Sequence, residues 1–132
     1  MGSVDTEELI RNVIGAAINV HRELGPGFLE SVYEAALAIE FERLEIRFER
    51  QKIVPIHYLG RKVGEHRLDF LVEGCLVVEN KAVSEIEPVF FVIVRSYLKA
   101  TGTHDGLLFN FAAMPLTIKR VGPEEISRFR SQ

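Results

Sequence analysis

The residues best placed to do chemistry lie between Asp69 and Lys81, in DFLVEGCLVVENK. Asp69, Glu79 and Lys81 stand there among Phe70, Leu71, Val72, Leu76, Val77 and Val78. Charges among apolar neighbours are costly to bury, so they find a counter-ion, a metal or the solvent. Two hard carboxylates with no thiol or clustered imidazole beside them match Mg²⁺ or Mn²⁺ rather than zinc. A divalent ion held by Asp69 and Glu79 would offset their repulsion, polarise a phosphate oxygen and lower the pKa of a water. Lys81 would orient that water or stabilise charge on the phosphorane-like transition state. The expected activity is phosphodiester hydrolysis. The bland alternative is an unliganded salt-bridge cluster, because D-x₉-E-x-K by itself is a weak pattern.

The stretch reads as two strands joined by a tight turn, and its register decides whether the site can form. Side chains alternate between faces, so Glu79 and Lys81 share a face with Val77. A two-residue turn at Glu73-Gly74 pairs Val72 with Cys75 and turns Asp69 away from Glu79. A three-residue turn, Glu73-Gly74-Cys75, pairs Val72 with Leu76 and sets Asp69 opposite Glu79, with glycine in the left-handed conformation. Leu68, Phe70, Val72, Leu76 and Val78 then make the other, apolar face. The metal site therefore requires the three-residue turn or a bulge near Asp69.

Two helices precede this hairpin. Residues 5–23 carry Leu9, Val13, Ala16, Ala17 and Val20 at helical spacing, with Asp5 or Thr6 as cap and Gly25-Pro26 as the stop. A second helix runs from near Leu29 to about Leu44, with Val32, Tyr33, Ala36, Leu37 and Phe41 as its apolar stripe. Glu30 lies in its first turn, where the helix dipole favours a carboxylate, and shares a face with Tyr33 and Leu37. From Ile46 the period changes to that of strands. Leu59 to Lys62 supplies a turn, Val63–Val72 is the next strand and Cys75–Val83 the third. Pro55 marks the first strand as an edge or a bulge. In 87–101, VFFVIV fits a buried strand or a helix; Pro88 at a first turn and Thr101-Gly102 at the end favour helix. Gly106–Phe111 and Thr117–Val121 read as two short strands, and Pro123-Glu124-Glu125 as the opening of a terminal helix. The order α-α-β-β-β-α-β-β implies one α/β domain over residues 1–132, an α+β mixed sheet with helices packed on it.

Composition sets the background. Apolar residues make up 47% and charged residues 27% of 132, a globular balance. No apolar run is long enough to span a bilayer, and the polar, acidic start is unlike a signal peptide. Cys75 is the single cysteine, which fits a reducing, cytoplasmic setting and excludes a disulfide framework or cysteine-based zinc site. The net charge of −3 is unevenly spread: residues 1–45 carry −6 and residues 46–68 carry +4. The basic segment includes Arg61, Lys62 and Arg67 just before Asp69, where a phosphate backbone of DNA or RNA could lie. His21, His57, His66 and His104 are scattered without ligand spacing, and His21, at a helix end, reads as a cap or structural partner. Tyr33 and Tyr97 read as core residues whose hydroxyls reach the site rim.

Several ordered motifs add a resemblance. Gly27-Phe28-Leu29-Glu30-Ser31-Val32-Tyr33 reads G-x-x-E-x-x-Y. It follows His21 to Pro26 and precedes Asp69, Glu79-x-Lys81, Tyr97 to Gly102 and Gly106 to Phe111. Over about residues 8–121 the chain resembles the GxxExxY protein family, assigned to the PD-(D/E)xK nuclease-like superfamily. The resemblance implies a restriction-endonuclease-like core of order αβββαβ and a Mg²⁺-dependent nuclease-type site. It carries over Asp69, Glu79 and Lys81 as metal and catalytic residues, and Glu30 as an additional acidic residue. The chain departs from the family pattern in two places, on the helix before Tyr97 and between Glu79 and Lys81. Ile93, one helical turn before Tyr97, replaces an expected glutamine and offers no donor or acceptor to a water or phosphate; Phe90 and Phe91 also stand where polar residues are expected. Asn80 fills the usually apolar centre of Glu-x-Lys and, pointing to the opposite face, needs a partner there.

Three readings compete. The first is a metal-dependent nuclease. The second is a catalytically weak or inactive module of the same fold that binds nucleic acid or oligomerises. The third is a structural homodimer formed through Phe90–Val94.

Overall fold

The computed structural model describes residues 4–123. The chain runs α1 (Thr6–Leu24), α2 (Glu30–Arg43), β1 (Phe48–Tyr58), β2 (Arg61–Val72), β3 (Leu76–Lys81), α3 (Pro88–Thr101), β4 (Asp105–Asn110) and β5 (Thr117–Val121). This is the order expected from the sequence. The terminal helix expected after Pro123 lies outside the described residues. The five strands form one sheet in chain order. β3 and β4 are parallel, joined across α3, and the other neighbours are antiparallel.

The local signals account for the helix limits. Asp5 accepts the amides of Glu7 and Glu8 at 3.1 and 3.2 Å, satisfying two N-terminal donors of α1. Gly25 ends it at φ 69°. Pro88 opens α3, where its missing N–H is harmless, and Gly102 closes it in the left-handed region at φ 70°. The ambiguous VFFVIV run is thus helical, between signals that a strand would not have.

The sheet is covered on both faces. α1 and α2 bury Leu9, Val13, Tyr33, Leu37 and Phe41 against Phe70, Val72, Leu76, Val78, Leu107 and Phe109. α3 covers the other face, with Val94, Tyr97 and Leu98 on Leu68, Leu71, Val77, Leu108 and Val121. Each fully buried Leu, Val or Phe side chain contributes about 1.5–3 kcal/mol, so these two layers fix the sheet between the helices. Tyr33 stacks on Phe111 at 4.6 Å between ring centres.

Leu68 and Phe70 depart from the expected single apolar face. They are two residues apart, yet Leu68 packs under α3 and Phe70 under α1 and α2. The cause is opposite Asp69 on the neighbouring strand. Gln51 has φ 54°, and the β1–β2 pairing steps from Arg50↔Phe70 to Lys52↔Leu68 around it. A left-handed residue inside a strand breaks the two-residue alternation. Beyond this kink the β1–β2 hairpin continues as an arm, with a bulge between Ile56 and His57. Pro55 therefore lies on an edge strand next to a bulge.

Candidate active site

The hairpin adopts the three-residue turn. Phe70 pairs with Val78, Leu71 with Val77 and Val72 with Leu76. Glu73 and Gly74 take φ values of 51° and 68°. Glu73 tolerates the left-handed conformation because it is tied down: its amide donates to the Arg47 carbonyl, and its carboxylate accepts the Arg47 amide, both at 2.9 Å. The register, continued by one residue, sets Asp69 across from Glu79. The regular ladder stops there. The Asn80 amide donates to the Asp69 Oδ2 carboxylate oxygen at 2.9 Å instead of to backbone.

Glu79 is buried at 8% exposure, and its Oε1 has no hydrogen-bond partner. Burial, with the negative charge of Asp69 added, pushes its carboxyl up to about 8. Burial also lifts Asp69, to about 6, with Glu34 and Glu30 adding to the rise against the Asn80 amide and Lys81. Two interacting carboxylates lose their protons in steps that belong to the pair. Such a pair holds a proton near neutrality unless a cation takes its place. An orphaned carboxylate oxygen opposite a second carboxylate fits a hard divalent ion that completes its shell with water. Among the described residues, no three His, Cys, Asp or Glu side chains converge into a ready ligand set.

Glu30, the first residue of α2, is exposed, and its Oε2 accepts the Ala82 amide at 3.2 Å, directly after Lys81. It borders the pair, and its charge adds to the rise of both carboxyls. One turn on, Glu34 is buried and accepts Arg50 Nε at 2.6 Å and Gln51 Nε2 at 2.7 Å. Gln51 Nε2 also lies 3.4 Å from Asp69 Oδ1. Glu34 and Gln51 thus link α2 to Asp69, and reading the sequence overlooked both. The i, i+4 spacing of Glu30 and Glu34 was the available signal for Glu34; nothing marked Gln51.

Lys81 Nζ lies 4.0 Å from Glu79 Oε2 and 4.6 Å from the centre of the Phe90 ring. Phe90 therefore holds the lysine from α3 by a cation–π contact. Phe90, Phe91 and Ile93 pack, half-buried, on the second core, leaving Val89 and Val92 as the exposed apolar residues of this helix. The end of β3 is pinned by the Phe111 amide donating to the Lys81 carbonyl at 2.9 Å. The buried Asn110 side chain meanwhile bonds both the N–H and the carbonyl of Val83. Tyr97 faces the carboxylates from α3. Burial, then the charges of Glu79 and Asp69, push its hydroxyl up to about 12, so it remains a donor.

Asn80 points to the opposite face as expected, but its side chain is buried with neither Oδ1 nor Nδ2 partnered. The Tyr33 hydroxyl does not reach the carboxylates. It donates to the Gly25 carbonyl at 2.6 Å and accepts the Phe28 amide at 3.1 Å, clamping the loop that leads to Glu30. Arg67 is exposed two residues from Asp69, whereas Arg61 and Lys62 stand at the far end of the arm, Lys62 paired with Glu65 at 2.8 Å. His21 Nε2 bonds the Ala113 carbonyl at 2.9 Å, and His66 Nε2 lies 3.2 Å from Ser96 Oγ; both hold elements together. Among the described residues no helix is long and apolar enough to cross a membrane.

A solved structure shares this architecture. The crystal structure of SSO0001 superposes with a TM-score of 0.57 at 12% identity over 74% of this chain, which spans 52% of that protein's length. An alkaline exonuclease (LHK-Exo) from Laribacter hongkongensis aligns at 12% identity and a TM-score of 0.49, covering 94% of this chain and 73% of that one. No curated protein sequence matches the chain. The sequence model of the PD-(D/E)XK nuclease superfamily matches residues 7–121. That match takes in α2, the Asp69–Lys81 hairpin, α3 and both strands that follow, and the chain belongs to the PD-(D/E)XK nuclease superfamily.

Proposed function

We propose that the protein is a Mg²⁺- or Mn²⁺-dependent nuclease of the GxxExxY type that hydrolyses phosphodiester bonds in nucleic acid. The observation that carries this reading is the buried, unpartnered Glu79 Oε1 opposite Asp69, two carboxylates that cannot both ionise at low cost without a cation. Asp69 and Glu79 hold the ion, with Glu30 supplying further negative charge at the border. When bound, the ion offsets their repulsion, polarises a phosphate oxygen and acidifies a water. Lys81, positioned by Phe90, orients the attacking water and balances charge as the phosphate becomes five-coordinate. Tyr97 donates a hydrogen bond at the rim, and Arg67 meets the phosphate backbone close to the cut.

Calorimetric titration with Mn²⁺ tests the reading directly. Wild type binds the ion and Asp69→Asn does not; DNA and RNA cleavage assays then follow. No Mn²⁺ binding at millimolar concentration, with or without nucleic acid, sinks it. Ile93 favours a second reading, a binding module without cleavage. It sits half-buried one turn before Tyr97 and puts a hydrocarbon where a nuclease would use a polar group. Nucleic-acid binding with no metal-dependent cleavage selects that reading. A homodimer through Phe90–Val94, of which Val92 alone is exposed, would appear in light scattering without nucleic acid.

A further inference from the structure

The β1–β2 arm does more than carry Asp69. β2 pairs with β3 only from Phe70 to Val72, so residues 61–68 have β1 as their sole neighbour in the sheet. From Asp69 to the tip is roughly 26 Å at ~3.3 Å per residue, about three quarters of a ~34 Å B-form helical turn. Residues 52–67 hold four cations, Lys52, Arg61, Lys62 and Arg67, against the single carboxylate Glu65, in a chain whose net charge is −3.

The tip itself is unusual. Tyr58 pairs with Arg61, and Leu59 and Gly60 between them have φ values of 50° and 78°. This is the two-residue turn with both central residues left-handed, where Asn-Gly or Asp-Gly is the favoured sequence. Leucine is disfavoured there. Leu59 is also 84% exposed, beside Tyr58 at 66% and Val63 at 64%. A side chain that strains the turn and is mostly exposed contributes little to the stability of the free protein.

The geometry points to the β1–β2 arm as a clamp for double-stranded DNA, with Leu59 as an apolar wedge between base pairs and Arg61 and Lys62 on the flanking phosphates. A two-stranded ribbon fits a B-form groove, whereas the deep, narrow A-form groove excludes it. Apolar side chains inserted between base steps unstack them and kink the duplex, gaining a larger wrapped surface. The proposal rests on the nuclease reading for where the duplex lies: a phosphodiester at Asp69 and Glu79 places the tip on the same duplex, most of a turn away.

Fluorescence anisotropy in EDTA tests it without cleavage, using labelled 30-base-pair DNA, its separated strand, and an RNA duplex of the same sequence. Wild type is expected to bind the DNA duplex most tightly and to raise the fluorescence of a 2-aminopurine placed in it. Leu59→Asn suits the left-handed turn, so its Tm should equal or exceed that of wild type. It should nonetheless bind the DNA duplex about tenfold more weakly and abolish the 2-aminopurine signal. Arg61→Ala/Lys62→Ala should weaken binding and flatten its salt dependence. Unchanged duplex affinity in Leu59→Asn, equal wild-type affinity for the three ligands, or a wild-type dimer that Leu59→Asn dissociates without loss of DNA binding each overturns the proposal. Because EDTA removes metal, a failed metal site leaves this result readable, and a failed wedge leaves the metal titration standing.

Discussion

The Asn80 amide donates to Asp69 Oδ2 at 2.9 Å, at the point where β2 and β3 stop pairing through their backbones. A side chain thus takes over a ladder position, and Asp69 is held beside Glu79 rather than free to swing into solvent. The same hydrogen bond favours the ionised form of Asp69 while burial opposes it. The two carboxylates are therefore pre-positioned at an electrostatic cost that only a proton or a cation relieves.

That cost makes stability depend on pH. Glu79 is raised from an ordinary 4.5 to about 8, and Asp69 from 3.8 to about 6, by burial first and by neighbouring carboxylates second. The folded state thus holds these protons more tightly than the unfolded chain. Their stabilisation is complete below the unfolded values and is lost as pH rises through 6 and then 8. In EDTA, Tm should fall from pH 5 to pH 8.5, and Glu79→Gln should flatten the fall. Mn²⁺ should raise the wild-type Tm more at pH 8 than at pH 5.5, because the ion needs the ionised pair. Thermal melts across this range check both signs.

Much of this arrangement was legible in the sequence because its causes are local. The α1 stripe, the Pro88 and Gly102 limits of α3 and the glycine-bearing turn at Gly74 each depend on residues within a few positions. The three-residue register was the one a site shared by Asp69 and Glu79 required, and the hairpin adopts it. What stayed hidden depends on distant contacts. Leu68 changes cores because Gln51, on another strand, is left-handed, and no glycine announces that. Glu34 reads like any helix-surface glutamate until Arg50 and Gln51 reach it from β1. The Tyr33 hydroxyl could equally have served the site; only the fold shows that it closes the α1–α2 loop.

Lys81 should matter to turnover more than to folding. Its ammonium is partly exposed between Glu79 and the Phe90 ring, so its removal leaves no deep cavity. Lys81→Ala should lower kcat by about 10²–10³, with Tm within a few degrees of wild type. Phe90→Leu keeps the packing but removes the cation–π contact and should fall between the two. Steady-state kinetics on a labelled oligonucleotide separates a kcat loss from a KM effect, and a pure KM effect would reassign Lys81 to binding.

Glu34 and Arg50 should respond unequally to substitution. Glu34 is the buried partner, with 11% of its side chain exposed against 41% for Arg50. Arg50→Ala leaves a buried carboxylate with Gln51 alone and should cost about 1–3 kcal/mol. Glu34→Gln leaves Arg50 solvated and should cost less. It also removes a negative charge that raises Asp69, so Mn²⁺ binding should persist to lower pH than in wild type. Urea melts give the first comparison and calorimetry across pH the second.

Asn80 offers the clearest separation of stability from chemistry. Its backbone amide serves Asp69, but its side chain is 1% exposed on the α1–α2 face with both polar atoms unpartnered. A buried polar group without a partner costs about 1–3 kcal/mol, whereas the backbone hydrogen bond to Asp69 survives any replacement except proline. Valine is β-branched, suits a strand and fills the space with hydrocarbon. Asn80→Val should therefore raise stability by about 1 kcal/mol, read as a Tm increase of roughly 3–5 °C, with Mn²⁺ affinity unchanged. A fall in Tm would mean that the amide has an unseen partner, such as a buried water, within that core. A stable variant with weakened Mn²⁺ binding would instead place the Asn80 side chain in service of the carboxylate pair.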